Sequence, residues 1–362
     1  MQGRDPLNLN ECLEKYPEVP KFIVLKLDVQ RRGVTFTQKA LEAAQDPKYQ
    51  HAGPHIYGRA EAIHKRYPGP LILRDGTTIL TNYGSGGKPT TTPYLVEKMQ
   101  SKFMIVDEGE PIEEVDFCPR PDFFGKKTSR GISMDKIAST RPQRLDITPY
   151  GYCHFWDNGN QCQFCSIVSD LKDQIRGKTG RKPKVKPEDL YETVREALRE
   201  PGRYSQITVT GGSDTRGEKP FDVELDRYID VLQAIGRNFK SRRFPSQIIA
   251  SAFSKEQLSR LYEETGLSSI CIDIEVWDEQ LFRWICPGKA EWLGRQWWID
   301  SLLNAVEVFG WGNVYTNFVA GCEMAEPHGF ETIDEALESN FQGCEFLARQ
   351  GVSMLSIVWR TG

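Results

Sequence analysis

The sequence predicts an α/β fold: a partial (β/α)6 barrel over residues 141–362, preceded by an α+β extension over residues 1–140. After Arg141-Pro142, strand-like runs alternate with helical ones, a pattern that favours βα units and a parallel sheet. Residues of chemical character fall just after those runs, where an α/β barrel gathers its active site. A chain of 362 residues is long enough for such a barrel and an accessory region beside it.

The first 140 residues carry irregular signals. An apolar run at 22–27 is expected as a strand, residues 38–44 as a short helix, and residues 71–80 as a hairpin turning at Asp75-Gly76. In the second part, a strand at 145–150 is followed by a cysteine-bearing loop and a helix over 187–199. Pro187 suits the first turn of that helix, because its missing N–H has no partner there to lose. Next come strand 207–210 with helix 223–239, strand 247–251 with helix 255–264, and strand 269–275 with a helix near 295–309. Strand 313–319 leads to a helix over 333–349, and 352–359 is the sixth strand. No helix follows it, so the barrel edge is expected to be covered by the N-terminal part, a partner or further residues.

Hydrophobic residues make up 39% of the chain and charged ones 27%, and 46 basic against 50 acidic side chains give a net charge of -4. This balance lacks the bulk positive charge of a nucleic-acid binder, and nucleic acid is not expected as a partner. Residues 1–6 lack a signal-peptide core, and no apolar run reaches the roughly 18 residues of a membrane span, so a cytoplasmic protein without membrane association is expected. Nine cysteines, an odd number, do not read as a secreted disulfide framework. By default Cys12, Cys118, Cys271, Cys286, Cys322 and Cys344 are structural thiols.

Cys153, Cys162 and Cys165 differ from these in lying together in one short loop directly after the first barrel strand. Three thiolates in a loop suit an iron-sulfur cluster that leaves one iron open to a further ligand. Further along, Gly211-Gly212-Ser213-Asp214 follows the second strand, Glu275 ends the fourth, and Gly321-Cys322-Glu323 follows the fifth. In this order, residues 140–362 resemble the radical S-adenosylmethionine superfamily, with strand-four and strand-five signals similar to its biotin synthase-like branch.

The resemblance implies that Cys153, Cys162 and Cys165 hold a [4Fe-4S] cluster and that S-adenosyl-L-methionine chelates the fourth iron. It assigns Phe164 to the adenine, and Gly211 and Gly212, with Ser213 after them, to the ammonium of the methionine part. Glycine permits the close backbone approach that such contacts need. Glu275 corresponds to an acidic position used on the ribose or amino group, Lys289 or Arg295 to a partner for the carboxylate, and Asn317 and Glu323 to neighbours of adenosine or substrate. The implied activity is reductive cleavage to a 5'-deoxyadenosyl radical that abstracts hydrogen from a small-molecule substrate. A flavodoxin or ferredoxin would supply the electron, and oxygen would destroy the cluster. Eight residues separate Cys153 from Cys162, where three are commonest in the family, so substrate class does not transfer.

Two other readings stand beside this one. Cys153, Cys162 and Cys165 with His154 would make a zinc site in a binding protein, although adjacent Cys153 and His154 chelate poorly. Alternatively, an enzyme would use adenosylmethionine as a methyl donor. The basic run from Lys172 to Lys186 reads as a solvated loop, Gly84-Ser85-Gly86-Gly87 as a loop without Walker spacing, and Trp292, Trp297 and Trp298 as helix packing. His51, His55, His64 and His328 show no partner pattern.

Overall fold

The computed structural model describes residues 7–50, 70–80, 92–157, 159–167 and 185–358. Gly84–Gly87, His51, His55, His64 and the basic residues Lys172, Arg176, Lys178, Arg181, Lys182 and Lys184 lie outside them. The chain divides into two compact units, Met1–Pro121 and Asp122–Gly362. This division falls earlier than residue 140 because Phe123, Met134, Ile137 and Ala138 join the apolar core of the second unit. Asp122 N–H also donates to Glu200 at 2.8 Å, and Lys126 pairs with Glu196 at 2.6 Å, tying the segment to that unit.

The first unit holds α1 (Leu9–Lys15), α2 (Lys21–Arg32), α3 (Gln38–Ala44) and six strands: β1 (Val34–Phe36), β2 (Leu71–Leu73), β3 (Thr78–Ile79), β4 (Tyr94–Met99), β5 (Lys102–Asp107) and β6 (Glu110–Phe117). Their order is β1-β4-β5-β6-β2-β3, with only β1 and β4 parallel. The expected strand at 22–27 is a correction: it is the front of α2. Val24, Leu25, Asp28 and Val29 are its buried positions, a helical spacing that lets one face join the core and overrides the strand propensity of Phe22-Ile23-Val24. The hairpin at Asp75-Gly76 forms as expected, with Gly76 at φ 88° and the Asp75 carboxylate accepting from Thr77 N–H at 2.8 Å.

In the second unit β7 (Ala138–Arg141), β8 (Arg144–Tyr150), β9 (Gln206–Gly211), β10 (Ser246–Ala250), β11 (Ser269–Ile272), β12 (Val314–Ala320) and β13 (Val352–Val358) form one sheet in sequence order. All neighbours from β8 to β13 are parallel; β7 adds an antiparallel edge that the sequence pattern did not reveal. Six parallel strands with helical crossovers make a partial α/β barrel. The crossovers carry α4 (Pro187–Ala197), α5 (Asp222–Gly236), α6 (Lys255–Glu264), α7 (Glu279–Ile285), α8 (Pro287–Trp292), α9 (Gly294–Phe309) and α10 (Ile333–Arg349). Local chemistry marks several of them. Ser254 with Gln257 caps α6 and Thr332 with Glu335 caps α10, each through a reciprocal capping box. Among the described residues, no helix is long and apolar enough to cross a membrane.

Candidate active site

The C-terminal end of β8 runs through Gly151 and Tyr152 into Cys153, and a one-turn 3-10 helix, His154–Trp156, follows. This loop is fixed from two sides. On one side, His154 N–H donates to Ser213 O at 2.9 Å, Gly212 N–H donates to Tyr150 O at 3.2 Å, and the Ser213 carbonyl belongs to the turn after β9. A Cβ on Gly212 would lie 2.2 Å from Tyr152 O and 2.8 Å from Cys153 Cα, and one on Gly211 would lie 2.8 Å from Tyr150 O. The glycine pair is therefore needed where the β9 turn meets the cysteine loop. Ser213 completes that wall, its hydroxyl 2.8 Å from Ser251 Oγ.

On the other side stands the corner between α7 and α8. Gln163 N–H donates to Ile285 O at 2.8 Å and Gly288 N–H donates to Asn160 O at 2.9 Å. These bonds bring Cys286 and Lys289 to the cysteine loop. The three loop thiols share one partly buried region, in which Cys165 feels the charges of both Cys162 and Cys153. Burial pushes Cys153 up and Cys165 up to about 12, while a hydrogen bond with Cys286, then burial, raises Cys162 well above the usual thiol range. Phe164, between the two later cysteines, is half-buried against the core.

Glu275 lies beyond β11 at φ 70°, a left-handed conformation uncommon for a residue with a side chain. It is held there by its N–H donating to Asn317 O at 2.9 Å and by its carbonyl accepting from Val319 N–H at 2.8 Å. Its carboxylate pairs with Lys289 Nζ at 2.8 Å, and the same ammonium donates to Asp273 O at 2.7 Å. Burial raises the Glu275 carboxyl and opposes charge on Lys289, but the attraction of Glu275 leaves the ammonium well above its ordinary range. Asn317, on β12, donates from Nδ2 to Asp273 at 2.7 Å and stands 3.3 Å from Cys271 Sγ. Glu323 is buried, accepting from Gly321 N–H at 2.8 Å and from Asn340 at 2.5 Å. Arg295 is turned to Trp277: its guanidinium donates twice to Trp277 O, at 2.9 and 2.6 Å, and lies 4.5 Å from the centroid of that indole.

Sequence reasoning missed the polar network behind the β9 turn. Asp214 is fully buried, accepts from Arg216 and Arg227 at 2.7 Å each, and lies 3.4 Å from His154 Nδ1. Burial would raise its carboxyl, but the two guanidinium groups hold it far below the usual range. Glu224, on α5, accepts from Asp214 N–H, Ser251 N–H and Ser251 Oγ, and burial pushes it up to about 7. Cys271, Cys286 and Cys322, expected as structural thiols, stand within the electrostatic reach of Glu275 or Cys162. Only the position of Asp214 in the strand-end turn hinted at the network.

No family model matches the chain. A curated relative, the bacteriochlorophyllide c C-7(1)-hydroxylase of Chlorobaculum limnaeum, is 24% identical over 201 residues, 53% of this chain and 49% of the relative. The chain thus spans about half the length of the curated relative it matches. Among solved structures, HydG, a maturase of the [FeFe]-hydrogenase, is 16% identical with a TM-score of 0.40 over 60% of this chain and 43% of its own. A radical SAM methyltransferase from Sphaerobacter thermophilus is 14% identical with a TM-score of 0.37, over 98% and 94% of the two chains. Neither score reaches the level at which a whole fold is shared. Along one parallel sheet stand three thiols after β8, a glycine pair at the end of β9 and the half-buried Glu275 beyond β11. In this order they resemble the radical S-adenosylmethionine superfamily.

That resemblance implies an iron-sulfur cluster and adenosylmethionine. The donor set fits a cluster. Three partly buried thiols, each disfavoured as a free thiolate, would be stabilised by a metal that binds them deprotonated. Among the described residues, no three Cys, His, Asp or Glu side chains close on the tight shell of a single metal ion. A cluster needs a wider spacing, because its thiolates surround a body of several atoms. His154, the fourth ligand of the zinc alternative, has both ring nitrogens engaged: Nε2 is 3.0 Å from Tyr150 OH, and Nδ1 is 3.2 Å from Thr215 Oγ1.

Proposed function

We propose that this protein is a radical S-adenosylmethionine enzyme whose Cys153, Cys162 and Cys165 hold a [4Fe-4S] cluster and whose substrate is a small molecule. The supporting observation is the gathering of these three partly buried thiols in one loop clamped between the β9 turn and the α7–α8 corner. Bound there, the cluster and adenosylmethionine would supply a 5'-deoxyadenosyl radical by one-electron reductive cleavage. The chain's own residues do the rest. The clamped loop orients the ligands, while the apolar side chains packed around Cys153, Cys162 and Phe164 exclude water from them. The Glu275–Lys289 pair offers fixed charge beside the cluster face, and Phe164 a flat surface for the adenine. A flavodoxin or ferredoxin is the electron donor in this reading. Tetrapyrroles of the bacteriochlorophyllide kind, on which the relative acts by its name, are the first substrates to assay.

Anaerobic reconstitution tests the proposal. The wild type is expected to take up about four irons with a reduced-state electron paramagnetic resonance signal and to yield 5'-deoxyadenosine. Cys153→Ala, Cys162→Ala and Cys165→Ala should each lose cluster and cleavage, whereas Cys118→Ala, in the first unit, should keep both. S-adenosylhomocysteine without 5'-deoxyadenosine would point to methyl transfer instead, and one zinc without iron to a structural site.

A further inference from the structure

One border of the sheet in the second unit is open on both of its faces. β13 pairs with β12 along its whole length, and among the described residues no strand pairs with its other edge. Outside the sheet α10 lies against these strands: a Cβ on Gly343 would come within 2.7 Å of the Phe318 ring of β12, and Leu347 is fully buried. One flank of α10 turns inward, where Phe346 meets Trp277 at a centroid distance of 5.4 Å. The opposite flank carries Ile333, Leu337 and Phe341, a single row at a spacing of four, and they are 58%, 45% and 64% exposed. That row therefore lies toward the open edge of β13. Val352 and Met354 of β13 join the core under the helices, so alternation puts Leu355 and Ile357 on the other face, where both are exposed.

We propose that this border is the contact between two copies of the chain, in which β13 pairs antiparallel with its counterpart across a two-fold axis and the two α10 rows pack on each other. An unpaired edge strand is a template for a further strand, and exposed apolar side chains on both of its sides need an occupant that covers both. A lone helix would cover only one of them. A second copy continues the sheet and brings its own α10 over the same face. Two strand spacings, about 9.6 Å, would then separate the helices, within the roughly 8–10 Å at which helices pack. The axis runs them antiparallel, so their dipoles oppose, and Ile333 meets Phe341 of the other copy when Leu337 meets its own counterpart. The five exposed apolar side chains present roughly 500 Å², about the apolar share of the 800 Å² or so that each subunit gives to a standard contact.

The test uses the reconstituted full chain, with mass in solution measured by anaerobic sedimentation and amide hydrogen exchange followed over residues 352–358. The wild type is expected to be a dimer at micromolar concentration. Phe341→Glu and Leu337→Glu should each weaken it by roughly a hundredfold or more, because a two-fold contact carries the buried charge twice. As the dimer separates, exchange over 352–358 should quicken, since β13 loses the strand that protects its outer edge. Both positions are exposed within the single chain, so neither substitution disturbs its core. Leu27→Glu, as exposed in the first unit as Ile333 is here, should leave mass and exchange unchanged. A monomeric wild type would overturn the proposal, and so would a dimer that survives both substitutions. A dimer lost without any change of exchange over 352–358 would refute the strand pairing.

Discussion

Gly212→Ala should cost the protein its cluster. The added methyl carbon would sit 2.2 Å from Tyr152 O, 2.6 Å from Tyr152 C and 2.8 Å from Cys153 Cα, all main-chain atoms that no rotamer change can move. Relieving the clash requires the 152–153 backbone to retreat by about 1 Å before ordinary van der Waals contact is restored. That shift pulls against the 2.9 Å bond from His154 N–H to Ser213 O and the 3.2 Å bond from Gly212 N–H to Tyr150 O. An overpacked site of this kind costs about 1–3 kcal/mol, and the displacement falls on the residue that carries the first thiolate. Iron per chain, measured after anaerobic reconstitution, should therefore drop well below wild type. Gly151→Ala is the matched control, two residues before Cys153 and with open space where its Cβ would go; it should retain full iron. Wild-type iron in Gly212→Ala would refute the steric argument. If adenosylmethionine binding weakened at the same time, the glycine would instead face the cofactor, as the family resemblance implies.

The remaining predictions concern buried polar groups. Glu224, pushed up to about 7 by burial against an ordinary 4.5, keeps a proton in the folded state that the unfolded chain has released. Its contribution is thus full below the unfolded value and lost as pH rises through the folded one, a decline on the order of 3 kcal/mol in denaturant unfolding. Glu224→Gln should flatten that decline while lowering stability throughout, since its amide NH2 would face backbone or hydroxyl donors at Asp214 and Ser251; a wild type with flat stability over this window would overturn the assignment. Asp214 has the opposite sign, losing its contribution as pH falls below the ordinary carboxylate range, so the two windows do not overlap. In the first unit, Tyr94→Phe removes the 2.6 Å bond from the phenol to buried Asp28 and should destabilise that unit by about 1–3 kcal/mol with iron content unchanged. An unshifted unfolding midpoint would show that Arg31 and Arg32 satisfy Asp28 without the phenol.

Strand and helix order in the second unit was legible because its signals are local. Apolar runs such as Ile207-Thr208-Val209-Thr210 fit a sheet covered on both faces, and the boxes Ser254/Gln257 and Thr332/Glu335 start helices within four residues of sequence. The same locality made residues 22–27 misleading. Their composition favours a strand, and the burial of Val24, Leu25 and Val29 in the apolar core of the first unit stabilises the helix. The short helices α7 and α8 and the edge strand β7 also went unseen, being too brief to show a period.

By itself the sequence displayed the three neighbouring cysteines, the glycine pair and the acid near strand ends and the asparagine within β12, because a ligand set within one loop is written in consecutive residues. Only the tertiary structure decided which charges and thiols meet them. Glu275 and Lys289 are fourteen positions apart, and Cys162 and Cys286 belong to different βα units. His154 and Asp214 likewise come from different units, and Glu224 reaches Ser251 from a neighbouring helix. Such contacts depend on the curl of the sheet bringing strand ends to one face, and spacing along the chain carries no record of that curvature.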